Sequence, residues 1–308
     1  MAHRETLIAV AAALVLIGGP LLLGLAGYFY STRRPAPPGD HSREYRNWKA
    51  TLASTLLYTL AFNLTFFIQE LFLVVPKALT PGLYPTLFHN NHRWQGDNPL
   101  ASLFQGTGAL AIFLSAIACS LLLRRSPQRS VALRLFLIWM AYNGFLQSLP
   151  QVIVGALEPR NDVGMAMDYL QVGASVKTAA ALVALAAIPL AALSLVRPLL
   201  SLAEFPGQLA SAAARSRFVF QVATLPALAA IPLIIPFRVP RNWVEVALVP
   251  VVVTLIGVGW LQAAAWRTHD SAPRGGTLTG KALAELLGVL VLVLLVFQLV
   301  LRPGVRFY

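Results

Sequence analysis

Apolar residues gather along this chain in eight runs, at 6–30, 51–75, 99–123, 132–157, 172–196, 218–237, 243–265 and 282–301. Each is near the roughly 20 residues that a helix needs to cross about 30 Å of hydrocarbon. The pattern predicts an all-α polytopic integral membrane protein with about eight transmembrane helices. Between the runs, "STRRPAPPGDHSREYRNWK" (31–49) and "PKALTPGLYPTLFHNNHRWQGDNP" (76–99) are rich in Pro, Gly and Asn and read as loops. The first run is too long for a signal-peptide core, and arginines rather than a small-residue cleavage pattern follow it, so it reads as a retained signal anchor. Three segments result: residues 1–50, a signal-anchor helix with a basic cytoplasmic loop; 51–171, a core of helices with a histidine-bearing loop; and 172–308, further membrane helices. No internal period of 20 to 50 residues recurs.

Composition supports the same solvent. The chain is 57% hydrophobic and 12% charged, with a mean hydropathy of +0.68, where soluble domains carry about 25% charged residues. The net charge of +12 comes without a nucleic-acid-binding motif, so membrane topology explains it and no nucleic-acid partner is expected. Loops 31–50, 124–134, 196–217 and 266–281 hold 15 of the 24 Lys and Arg residues, and the other side with both termini holds 8. That bias places the four loops in the cytoplasm and both termini outside, in the inner or plasma membrane of a bacterium. The basic loop 31–50 favours anionic lipid headgroups, at about 1 kcal/mol per charge near the surface. A single cysteine, Cys119, allows neither a disulfide nor a thiolate zinc site and reads as packing.

Polar residues inside the apolar runs carry the candidate chemistry. "FNLTFFIQELFLVVP" (62–76) contains Asn63, Gln69 and Glu70. A charge at mid-membrane costs about 2.5 to 3.5 kcal/mol, so Glu70 is expected to face a protein interior and to have a task or a partner. It could instead be partly hydrated near its helix end, or bonded to Gln69 or to Asn63, seven residues back on the same face. The next loop places His89 and His92 three apart, and Gly106, Gly108 and Ala109 in the following helix permit close helix approach. The later stretch "YNGFLQSLPQVIVGALEPRNDVGMAMDYL" (142–170) is broken by Pro150 and reaches Asn161, Asp162 and Gly164. Two histidines, a glutamate and an aspartate are the ingredients of a metal or acid–base site.

This order of elements resembles the site-2-protease family of intramembrane zinc metalloproteases. There a helix carrying H-E-x-x-H is followed by a hairpin or short extended loop, then a helix with small residues near its start. A helix with N-x-x-P and a following D-G, which supplies the third zinc ligand, completes the order. The matching stretches are Gln69 to Leu73, the loop through His92, Gly106 to Leu110, Gln147 to Pro150 and Asn161 to Gly164. The two ligand positions of the motif hold Gln69 and Leu73 here, and neither replaces an imidazole. Glu70 alone keeps its place, and Asp162 is followed by Val163 before the glycine.

The resemblance therefore implies one of two outcomes. In the first, the chain is a pseudoprotease that binds a transmembrane partner in the old substrate groove without chemistry. In the second, the metal site is rebuilt: His89, His92 and Asp162 hold zinc, and Glu70 activates its bound water for peptide hydrolysis. A third reading, from another class, is a transporter or structural subunit using Glu70 and Asp162 as proton or cation sites, though the missing repeat speaks against a transporter. Elsewhere Lys177 is expected to snorkel from a helix end, Glu245 and Glu285 to lie near helix starts, and Trp94, Trp243 and Trp266 to form an interfacial belt. His269 and Asp270 read as a solvated loop pair.

Overall fold

The computed structural model describes residues 2–33, 47–125, 130–268 and 272–308. His269, Asp270 and most of the basic loop 31–50 lie outside the described residues. Among the described residues, seven helices are long and apolar enough to cross a membrane: α1 (His3–Thr32), α2 (Trp48–Ala78), α3 (Leu100–Arg125), α6 (Ala174–Leu200), α7 (Ala212–Arg238), α8 (Val244–Arg267) and α9 (Gly280–Leu301). The remaining expected span is also a long helix, α4 (Val131–Leu157), but Arg134, Asn143, Gln147, Ser148 and Gln151 dilute its hydropathy. These side chains are tolerable because α4 packs against α2, α3, α6 and the short helix α5 (Asp162–Tyr169) rather than against lipid. The protein is an all-α multi-pass membrane protein.

The main apolar core runs from Ile8 to Ala265 across all three segments of the sequence, and α9 packs through Leu290, Phe297 and Leu301 in a smaller cluster with Leu56, Val74 and Phe237. At its centre, Tyr58 donates to or accepts from Thr254 Oγ1 at 2.7 Å, Trp139 Nε1 donates to Ser54 Oγ at 3.0 Å, and the rings of Tyr58 and Trp139 meet edge to face at 4.8 Å. The polar atoms of these large rings are thus satisfied inside the bundle, as burial requires. α1 lies on the outside and docks through glycines: a Cβ at Gly19 would stand 2.5 Å from the Trp260 ring, and one at Gly27 would stand 2.4 Å from Trp266. Trp266 also donates from Nε1 to Leu23 O at 3.2 Å, so it fastens α1 instead of only marking an interface.

The connections segregate to two ends. At one end, Asn47 donates to Glu204 Oε1 at 2.7 Å, Arg134 donates to Arg274 O at 2.9 Å, and Gly275 N donates to Ala203 O at 2.7 Å. The described ends of these connections therefore meet on the same side of the bundle. At the opposite end the loop after α2 departs from the all-helical pattern and forms a hairpin, β1 (Tyr84–Leu87) and β2 (His92–Gln95). Gly82 turns the chain into it with φ of +80°, a conformation open to glycine without strain. The C-terminal strand β3 (Val305–Arg306) pairs with β1, giving the order β2-β1-β3. Two residues of β3 suffice to tie the chain's last turn to the hairpin, with Phe307 N donating to Pro85 O at 3.1 Å.

Candidate functional site

The site is built on the inner face of α2. Glu70 and Lys77 are seven residues apart, two helical turns, and so share a face. Both are buried. Glycine at 108 lets α3 approach this face: a Cβ there would come within 2.8 Å of Leu73 Cγ and 2.9 Å of Gln69 O. Thr107 strengthens the crossing by donating to Phe72 O at 2.6 Å. The hairpin folds back over the end of α2 and carries His92 into the cluster.

His92 Nδ1 lies 2.8 Å from Glu70 Oε2, and its Nε2 lies 3.1 Å from Gln105 Oε1. Gln105 Oε1 also accepts from Lys77 Nζ at 3.4 Å, while Lys77 donates to Leu73 O at 2.8 Å. The imidazole thus bridges α2 and α3, with Glu70 at one ring nitrogen and Gln105 at the other. Trp94 completes the cluster: it stacks on His92 at 5.7 Å with 13° between planes, and the Lys77 ammonium lies 4.7 Å from its ring centroid. Trp94 is thus part of the site and not simply an interfacial residue. Asp162, in the first turn of α5, is half-buried and close enough to interact electrostatically with His92, Glu70 and Lys77. Burial raises its pKa, and the charge of His92 pulls it back down. Two carboxyl groups, an imidazole and an amine thus meet in one cluster.

A second polar group extends from Gln69. Its Oε1 accepts from Gln151 Nε2 at 2.8 Å, Gln151 Nε2 also reaches Gln147 O at 2.9 Å, and Gln147 Nε2 donates to Asn143 Oδ1 at 3.3 Å. Asn63 does not serve Glu70; it turns back to Thr59 O at 2.8 Å.

The expected four-residue set is only partly assembled. Glu70, His92 and Asp162 share one end of the bundle, whereas His89 is directed elsewhere, with Nε2 3.1 Å from Val239 O beside the end of α7. The cause is the hairpin: His89 lies in its turn, where Asn90 also bonds to Arg238 O, so His89 is pinned to α7 while His92, on β2, points to α2. Among the described residues no group of three or more His, Cys, Asp or Glu side chains is placed to hold a metal ion. Lys77, Gln105, Gln151 and Trp94 were not among the residues expected here. For Lys77 the spacing from Glu70 was the available signal, but the others depend on how the hairpin and α3 fold back. Lys177 does not only snorkel, since it pairs with Asp168, and Glu245 pairs with Arg241 at 2.6 Å in the first turn of α8. No family model, curated protein or solved structure matches the chain.

Proposed function

We propose that this chain is a pseudoprotease-like, non-catalytic protein of a bacterial inner or plasma membrane that binds the transmembrane helix of a partner. The observation that carries the reading is the occupation of Glu70: its Oε2 is held by His92, and the two side chains are 6% and 7% exposed. A general base must reach the proton it removes, and this carboxylate is committed to an ion pair. The flanking positions reinforce the point. Gln69 is engaged by Gln151, and Leu73 is fully buried against α3.

A groove of about 740 Å³ between α1, α7 and α8 suits a helical partner. Its wall combines small residues (Gly24, Gly259, Ala263) with a bonded polar pair, Thr224 and Gln262, 2.8 Å apart. Close backbone approach and scattered polar contacts are what hold helices together in lipid. Photo-crosslinking from Leu21 and Leu255, compared with the exposed Leu292 on α9 outside the groove, tests the reading in native membranes. Discrete protein adducts from the groove positions alone are expected. Indistinguishable adducts from all three positions would remove the partner site. Stoichiometric zinc in chelator-free wild type, lost in His92→Ala, would replace the reading with the rebuilt metallopeptidase.

A further inference from the structure

At the hairpin end of the bundle, basic side chains converge on residues 236–242. Arg238, the last residue of α7, is 2% exposed. Its guanidinium lies 4.1 Å from the Phe66 ring centroid, and its Nε donates to Glu245 O at 2.7 Å. Among the described residues it makes no ion pair. The two nearby carboxylates are engaged: Glu245 holds Arg241 through Oε2 at 2.6 Å and Asn242 through Oε1 at 3.0 Å, and Glu70 holds His92. Buried charges are normally paired, because an isolated one carries a desolvation cost of several kcal/mol.

Two further buried atoms around the same turn lack any hydrogen-bond partner, His89 Nδ1 and Arg241 Nε. His89 is 4% exposed. Arg238, Arg241 and Arg302 all act on it electrostatically. Arg302 is brought in by Gln298, whose Oε1 it meets at 3.5 Å and whose Nε2 donates to Pro236 O at 2.6 Å. These three arginines belong to the side of the chain poorer in basic residues, so charge-driven topology does not account for their meeting.

We propose that His89, Arg238, Arg241 and Arg302 form an anion site for a phosphate group. Arginine forks match phosphate oxygens in geometry and charge. The site sits where α7 and α9, both long and apolar enough to cross a membrane, end, beside the exposed Trp243 and the exposed apolar Leu299 and Val300, and the ends of membrane-spanning helices are where headgroup phosphates are met. The phosphate is therefore either that of a lipid headgroup or a free one, and the test separates the two.

The full chain, purified in a neutral maltoside, is titrated with inorganic phosphate and separately with phosphatidylglycerol, with phosphatidylcholine as control, following the thermal unfolding midpoint. A saturable rise with phosphatidylglycerol alone identifies a lipid headgroup; a saturable rise with inorganic phosphate identifies a free anion. In an Arg241→Gln/Arg302→Gln variant, which leaves the core untouched, half-saturation is expected at about tenfold higher ligand, the loss of one or two charge-assisted contacts. Glu245→Gln removes the competing carboxylate and is expected to shift half-saturation to lower ligand. No saturable response to either probe in wild type overturns the proposal. So does a half-saturation unchanged in both variants.

Discussion

Replacing His92 by alanine isolates the interaction that the account depends on most. The substitution removes the ring from between Glu70 and Gln105 and leaves a carboxylate whose side chain is 6% exposed without its 2.8 Å partner. Breaking a buried ion pair by deleting one member costs about 3 to 5 kcal/mol, because the remaining charge stays desolvated. Lys77 remains on the same helix face, so the lower end, about 3 kcal/mol, is expected. Glu70→Gln keeps an oxygen that can accept from His92 and loses only the charge, for about 2 kcal/mol. The double variant has no orphaned charge on this pair and is expected near 3 kcal/mol, giving a coupling of about 2 kcal/mol. Unfolding in mixed detergent micelles measures the four free energies. Limited proteolysis between Thr80 and Asn98 reports whether the hairpin lifts from α2. Additive effects, or single variants within about 0.5 kcal/mol of wild type, would show that the pair does not fasten the hairpin and that Glu70 is free for other work.

Gly108→Val places methyl groups where even a Cβ would lie 2.8 Å from Leu73 Cγ; a loss of about 1 to 3 kcal/mol in the same unfolding assay is expected from overpacking. Gly27→Ile drives a side chain into Trp266, whose ring would lie 2.4 Å from the new Cβ, and is expected to release α1, seen as a change in Trp266 fluorescence and loss of a cysteine crosslink between α1 and α8. His89 carries a pKa held below its ordinary 6.5, first by burial and then by the three arginines, against the pull of its bond to Val239 O. The unfolded chain therefore takes up a proton near pH 6.5 that the folded chain refuses, and stability present above that pH is lost as pH falls through it. In phosphate-free neutral detergent, the midpoint of wild type is expected to drop more between pH 7.5 and 5.5 than that of His89→Gln.

Much of the fold can be read from apolar run lengths, since lipid leaves a chain few ways to satisfy its backbone. The expected span most diluted by polar residues, α4, is enclosed by other helices, where burial in protein replaces burial in lipid and Gln147 Nε2 donates to Asn143 Oδ1. The interior placement of Glu70 was legible from the cost of exposing it, and Gly108 marked the helix crossing beside it. What could not be read was which histidine turns inward. His89 and His92 are three residues apart in the sequence, but the hairpin puts one in the turn, where Val239 O holds it against α7, and the other on a strand, where Glu70 holds it against α2. Arg238 was legible only as a basic residue at the end of an apolar run; its burial against Phe66 depends on the hairpin, α8 and α9 arriving at the same turn.

The central claim is that Glu70 holds a hairpin and performs no chemistry on what the protein binds. The most direct test is the mass of whatever protein crosslinks to position 255 in wild type and in Glu70→Gln, measured after capture from native membranes. A non-catalytic binder predicts the same partner at the same mass in both. A partner shortened in wild type and full-length in Glu70→Gln would contradict the claim and make Glu70 the base of a working peptidase.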